Sequence, residues 1–245
     1  SKKNIPEITI PSEVLIIDEY AFYDSTALQA INILPDSKLQ IIGKKCFQWH
    51  KNWKPLNSFK NFWTQRWCIG TGRLNRIEIL SDNKRYKTID DRIVIGKSDI
   101  NKEDYDVLVF FFFFFRKYSE VIISPSIRKI SPYSFAQSSI TIITIPSDVL
   151  IIDNFVFYEC NNLKEVNFSP NSNLQIIGEF SFSKSSIENI SFPSKVTKIC
   201  ENAFFECNNL KKVNFSPDSN LQIIGGKSFS NSSIEYISIP PKLTQ

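Results

Sequence analysis

Residues 149–195 read VLIIDNFVFYECNNLKEVNFSPNSNLQIIGEFSFSKSSIENISFPSK, and residues 196–242 read VTKICENAFFECNNLKKVNFSPDSNLQIIGGKSFSNSSIEYISIPPK. The second block is the first with light alterations. A self-repeat of 47 residues outranks every other signal in the chain, because repeats set the architecture as a whole. Each block divides into units of 25 and 22 residues, each opening on an aliphatic anchor: Val14, Leu39, Ile127, Val149, Leu174, Val196, Leu221 and Leu243. From Ile127 onward the anchors fall 22, 25, 22, 25 and 22 residues apart. A phenylalanine stands eight residues after each anchor that is not cut short: Phe22, Phe47, Phe135, Phe157, Phe182, Phe204 and Phe229.

Each unit then carries an apolar triplet spaced Φ-x-x-Φ-x-Φ, as in Leu163, Val166, Phe168 and in Leu210, Val213, Phe215. Its last positions alternate with the period of a strand that has one buried face. A proline closes the unit (Pro146, Pro170, Pro193, Pro217, Pro240), since it cannot donate to a ladder and turns the chain. A unit this short cannot bury its own apolar face. Stacked neighbours can, with equivalent strands pairing in parallel about 4.8 Å apart.

These units resemble the BspA-like leucine-rich repeat family, also called the Treponema pallidum type. The resemblance rests on VTKICENAFFECNNLKKVNFSP (196–217) and VLIIDNFVFYECNNLKEVNFSP (149–170), and on seven units that keep the anchor-to-phenylalanine offset. It covers residues 5–47 and 127–243 well and 74–126 loosely. It implies an α/β fold leaning to all-β: a right-handed leucine-rich-repeat solenoid with a parallel concave sheet and short convex turns or helical pieces. It also implies a role in adhesion or recognition at the surface of parasitic protists or bacteria, and hence a cell-surface or extracellular location.

The organisation expected is N-terminal repeats over 1–47, a scrambled or diverged repeat over 48–73, an irregular module over 74–126, and regular 22/25-residue repeats over 127–245. The chain opens inside a unit, has no methionine, and stops at the bare anchor Leu243, so a piece of a longer array is expected. At 245 residues and 42% hydrophobic content it can bury a large core, read as one elongated solenoid.

Segment 48–73 holds Trp49, Trp53, Trp63 and Trp67, the sole histidine His50, and interleaved Lys51, Lys54, Lys60, Arg66 and Arg73. Aromatics among cations can stack bases. The segment nevertheless has almost the length of a missing repeat, with its apolar code lost. A diverged repeat with a looped-out patch explains this, as does a pair of compensating frame shifts; retained length favours the frame shifts, and the other reading frames of the gene test them. In 80–124, RIVIG (92–96) and VLVFF (107–111) read as strands, followed by the run Phe110–Phe115. Val107 to Phe115 is nine apolar residues, far short of the roughly 20 a membrane span needs, so any membrane attachment is expected from segments outside this chain. The run cannot alternate, which makes it an aggregation hazard, a membrane-touching or partner-binding patch, or a slippage product.

No pattern in the chain carries catalysis, so an enzyme is not expected, nor a cofactor. His50 stands without spaced ligands. Gly70 and Gly72 lack a third glycine and a strand-to-helix setting. Asp90, Asp91, Glu103 and Asp104 read as solvated turn acids. A net charge of +4 with interleaved signs makes no demand for nucleic acid. Cys160 and Cys207 occupy one slot two units apart, about 10 Å by stacking, beyond the reach of a disulfide. Cys46 and Cys200 also fall in repeat slots, and Cys68 in the irregular stretch. Five cysteines without plausible pairs give no support for an oxidising compartment and keep a cytoplasmic interaction scaffold as the alternative. A fragment of a decayed gene, without selected function, is a third reading.

Recognition is expected on the triplets' intervening positions, which line the concave sheet. One column runs Thr9, Asn32, Thr144, Asn167, Ser191, Asn214, Ser238; its neighbour runs Glu7, Ala30, Ile142, Glu165, Asn189, Lys212, Tyr236. The first is small and polar, as a hydrogen-bonded ladder between coils requires. The second varies, as recognition of a protein or glycan requires. The candidate face is therefore Glu165, Asn167, Asn189, Ser191, Lys212, Asn214, Tyr236 and Ser238. Sequons start at Asn167, Asn189, Asn214 and Asn231. Glycans at the first three would cover that face in a secreted protein.

Overall fold

The computed structural model describes residues 7–22, 25, 28–42, 76–79, 83–89, 93–111 and 120–240. The chain forms two compact units, Ser1–Arg92 and Ile93–Gln245. In the second, each repeat makes one coil with two strands. A short strand follows the anchor and a longer one carries the triplet.

The short strands Lys129–Ile130, Ile151–Ile152, Ile176–Ile177, Lys198–Ile199 and Ile223–Ile224 pair in parallel, in chain order, into one sheet. It continues through Val107–Phe111, parallel to Lys129–Ile130. Ile93–Gly96 then returns antiparallel to Val107–Phe111, with a bulge between Val94 and Ile95. The two strands expected in the irregular module thus form a hairpin that extends the sheet of the regular coils.

The triplet strands stack on another side, as Glu120–Ile122, Ile142–Ile145, Glu165–Phe168 and as Asn189–Phe192, Lys212–Phe215, Tyr236–Ile237, all parallel. In the first unit, Glu7–Ile10, Ala30–Ile33 and Arg76–Ile79 pair in the same way. There Ile16–Ile17 pairs with Ile41–Ile42, and Tyr86 donates its hydroxyl to the Gln40 carbonyl at 2.8 Å. Ala30–Ile33 and Arg76–Ile79 are direct neighbours although the chain between them has repeat length twice over. The scrambled 48–73 stretch lies outside the described residues, as do Cys46, Cys68, His50, the four tryptophans, Gly70, Gly72, Asp90, Asp91 and Phe112–Phe115.

The core is a file of rings. Phe135, Phe157, Phe182 and Phe204 are fully buried, and with Phe229 they stack at centroid spacings of 5.3, 4.9, 5.0 and 5.2 Å. Phe111 takes the place below Phe135 at 5.1 Å, so the second residue of the phenylalanine run fills a core slot. The anchors Ile127, Val149, Leu174, Val196 and Leu221 are buried beside the file.

The segment carrying each ring corrects one expectation. The described residues contain no helix, so the fold is all-β and the convex helical pieces are absent. The cause is backbone conformation. The residues two before and two after each ring have positive φ: Tyr133 and Gln137, Phe155 and Glu159, Phe180 and Lys184, Asn202 and Glu206, Lys227 and Asn231, all between 52° and 63°. That alternation aims every second N–H at the next coil, where a helix would keep them all within the segment. Phe155, Phe157 and Glu159 donate to the carbonyls of Glu179, Ser181 and Ser183 at 2.9, 2.6 and 2.9 Å. Phe180, Phe182 and Lys184 donate likewise to Glu201, Ala203 and Phe205. Left-handed non-glycine residues cost about 1–2 kcal/mol each, and the third ladder they open offsets that cost.

Candidate recognition face

On Glu165–Phe168, Asn189–Phe192 and Lys212–Phe215 the inward positions are fixed by packing and the outward ones are free to vary. Val166, Ile190 and Val213 face in, while Glu165, Asn167, Asn189, Ser191 and Lys212 are exposed between them. Asn214 and Ser238 are half-buried, and Tyr236 is 55% exposed. All eight candidate residues lie on the outward side of this face, in two groups. Glu165 and Asn167 pair in register with Ile142 and Thr144. Asn189 and Ser191 pair with Lys212 and Asn214, and Lys212 with Tyr236.

The small polar column is a ladder only in part. The Asn214 amide donates to the Ser191 hydroxyl of the preceding coil at 3.0 Å, and the Ser238 hydroxyl accepts the Phe215 N–H at 2.9 Å. Asn32 instead reaches the Glu7 carboxylate of the coil before at 2.6 Å, and Asn167 turns along its own strand to Glu165 at 2.8 Å. In the varied column the Lys212 ammonium lies 5.6 Å from the centre of the Tyr236 ring.

A further column escaped sequence reasoning. One residue before each strand, Lys164 pairs with Glu188 at 3.7 Å and Lys211 with Glu235 at 3.8 Å, all solvent-exposed. Such pairs add little stability, but they neutralise charge along one margin of the face. Reading the position just after the first apolar residue of each triplet across units would have shown the alternation.

The ring-bearing turns hold a second outer surface. Tyr133, Phe155 and Phe180 are half-buried and stacked at 4.7 and 4.9 Å. Beside them Gln137 donates to Glu159 at 2.8 Å, and Lys184 bridges Glu159 and Glu206 at 3.7 and 3.8 Å. Burial, then the Glu159 and Glu206 carboxylates, hold the Tyr158 phenol well above its ordinary range.

Nothing in these surfaces assembles a reactive constellation. Cys160 and Cys207 are buried and free, with the coil of Ser185 between them. Each donates to a ring-residue carbonyl, Phe135 at 3.2 Å and Phe182 at 3.1 Å. Burial pushes the Cys160 thiol up to about 12 and the Cys207 thiol up to about 11, far from nucleophilic range. Ser98, Lys102 and Asp106 do converge: the Ser98 hydroxyl donates to Asp106 at 2.6 Å, and Lys102 reaches both at 2.9 and 3.1 Å. The lysine is held as the carboxylate's ion-pair partner, which makes the cluster a clamp on the hairpin loop. Glu103 and Asp104 lie exposed on that loop. Among the described residues no group of three or more histidines, cysteines or acids can hold a metal ion, and no helix is long and apolar enough to cross a membrane.

The family model for the BspA type leucine rich repeat region matches six copies in the sequence, over residues 1–89, 109–175 and 128–245. The chain belongs to this family. Its fold is similar to a leucine rich cell surface protein from Faecalibacterium prausnitzii, at 17% identity and a TM-score of 0.65 over 95% of this chain and 60% of that one. It is similar also to the pneumococcal vaccine antigen PcpA, at 13% identity and a TM-score of 0.63 over 98% of this chain and 62% of that one. A leucine-rich repeat protein from Bacteroides ovatus is similar at 17% identity and a TM-score of 0.54, over 100% of this chain and 54% of that one. The chain thus spans 54–62% of the length of these three. No curated protein matches the sequence significantly.

Proposed function

We propose that this chain is a non-enzymatic recognition module that binds a protein or glycan at the cell surface through the outward face of its triplet strands. The observation that carries this reading is the contrast across each strand. Inward residues are nearly invariant aliphatics and phenylalanines, while the outward column changes from Ile142 to Glu165 in one set of paired strands and from Asn189 to Lys212 and Tyr236 in the next. Stacked strands with a variable outer column are how repeat proteins present a binding surface. Two similar structures are described as a cell surface protein and a vaccine antigen, which supports the location.

The test applies purified chain to a glycan array and to a panel of extracellular-matrix proteins. The expected result is a ligand whose binding falls at least about tenfold in Lys212→Glu and Tyr236→Ala, as for central polar and aromatic contacts, with unchanged thermal stability. A ligand indifferent to both substitutions places recognition on another face. Antibody labelling of intact source cells tests the location.

The free thiols favour a second reading. Cys160, Cys200 and Cys207 are unpaired, which suits a reducing compartment and an intracellular interaction scaffold. Mass spectrometry of the native protein separates the two, since glycans at Asn167, Asn189 or Asn214 require secretion. Their presence would also move the partner to the margins or the turn side.

A further inference from the structure

We propose that the triplet-strand face flexes at seams set one coil pair apart, the seam between Glu165–Phe168 and Asn189–Phe192 being the most open. This rests on backbone pairing alone and holds whatever the face binds.

From Ile127 onward the coils alternate in length, and the ladder follows the alternation. Where a 22-residue coil precedes a 25-residue coil, all four strand residues pair: Ile142–Ile145 with Glu165–Phe168, and Asn189–Phe192 with Lys212–Phe215. Where a long coil precedes a short one, the ladder is shortened or lost. Lys212–Phe215 keeps two partners in the next coil, and Glu165–Phe168 has no ladder partner in Asn189–Phe192. Side chains record the same break. Phe192 and Phe215 stack at 4.9 Å and are buried, whereas Phe168 is half-buried and does not extend the stack. The physical module is therefore short coil then long coil, 127–173 and 174–220.

The other two sides stay closed at this step. Ile151–Ile152 pairs with Ile176–Ile177, the ring-bearing turns keep their three bonds, and Phe157 stacks on Phe182 at 4.9 Å. Only the margins of the seam are tied. At one margin the Glu188 and Ser186 amides donate to the Lys164 and Cys160 carbonyls, both at 3.3 Å. At the other, Lys195 reaches the Asn173 side chain at 2.6 Å. A stack held on two sides and loose on the third is a hinge.

The sequence supplies a cause. After Phe168 comes Ser169, whose N–H donates to Ile145 at 3.0 Å and locks the end of the ladder within the pair. After Phe192 comes Pro193, which has no N–H to send back across the seam. After Ile239 comes Pro240, at the other shortened step.

Hydrogen exchange resolved by residue tests the hinge. Glu165 and Ser169 donate to the preceding coil, so the alternate amides of Val166 and Phe168 face the seam. The Glu188 carbonyl accepts from Lys211 in the following coil, so Asn189 and Ser191 face the seam from the other side. These four amides are expected to exchange at least about tenfold faster than those of Ile143, Ile145, Ile190 and Phe192, which face within-pair ladders. Pro193→Ser restores a donor and is expected to slow the four. A disulfide between cysteines placed by Asn167→Cys and Ser191→Cys is expected to slow them in the oxidised form only. Equal protection of the two sets in the unaltered chain overturns the hinge. Fast exchange that Pro193→Ser leaves unchanged overturns its assignment to the proline.

Discussion

At the scale of the residue, the coils tolerate little change where they touch. Phe182 is fully buried between Phe157 and Phe204, with stacked contacts on both faces. Phe182→Ala is expected to cost about 3–5 kcal/mol, read from urea denaturation. The glycines are sharper probes, because two neighbours behave differently. A Cβ on Gly178 or Gly225 would lie 2.5 or 2.4 Å from backbone atoms of the preceding coil, whereas on Gly226 the nearest atom is 3.8 Å away. Gly225→Ala and Gly178→Ala are each expected to lose about 1–3 kcal/mol, and Gly226→Ala to be tolerated, in the same denaturation series. The offset of Phe182 from its anchor was readable in the sequence. The demand at Gly178 and Gly225 was not, because it comes from a chain segment more than 20 residues away.

At the scale of the element, the hairpin loop between Ile93–Gly96 and Val107–Phe111 is closed by a buried charge. Burial alone would raise the Asp106 pKa, but the Ser98 hydroxyl and amide and the Lys102 ammonium outweigh it and hold the carboxyl below its ordinary value of 3.8. A depressed carboxylate contributes stability that is fully present above the unfolded value and is lost as pH falls through it to the folded value. The hairpin is therefore expected to lose stability below about pH 4, and Asp106→Asn to flatten that acid limb. Thermal melts between pH 2 and 7 check it, and an unchanged acid limb in the variant removes the clamp's role. Both strands of this hairpin were legible as apolar runs. Their antiparallel pairing and the placing of Phe111 beneath Phe135 were not, since a homopolymer run contains no register. The ring-bearing turns mislead in the opposite direction. Nothing in Phe-x-x-Cys announces residues of positive φ on either side, so a helical piece was as compatible with the spacing as the ladder that forms.

At the scale of the molecule, stability in a stack is close to a sum over coils and their interfaces. Removing 174–220 joins Asn173 to Leu221, which reproduces the natural junctions at Leu174 and Leu221. That deletion is expected to leave a cooperative fold with a lower Tm by circular dichroism. Removing only 174–195 sets two long coils in succession and is expected to lower Tm further, although it takes away fewer residues. A more stable single-coil deletion would show that coil pairing is not the unit of the fold. The candidate face shows the same division. Its columns followed from the period of the triplets, while the ion-paired margin and the seam appeared only once neighbouring coils were in place.

Local spacing repeated at a fixed period was enough to say which residues of the regular coils face inward, that equivalent strands stack in parallel, and that the phenylalanines from Phe135 to Phe229 form one file. Where the repeat is cut into pairs, which outward side chains meet, and how the irregular module joins the second unit's sheet emerged from the contacts between coils. Those depend on whether a donor in one coil finds an acceptor in the next. No single repeat carries that information.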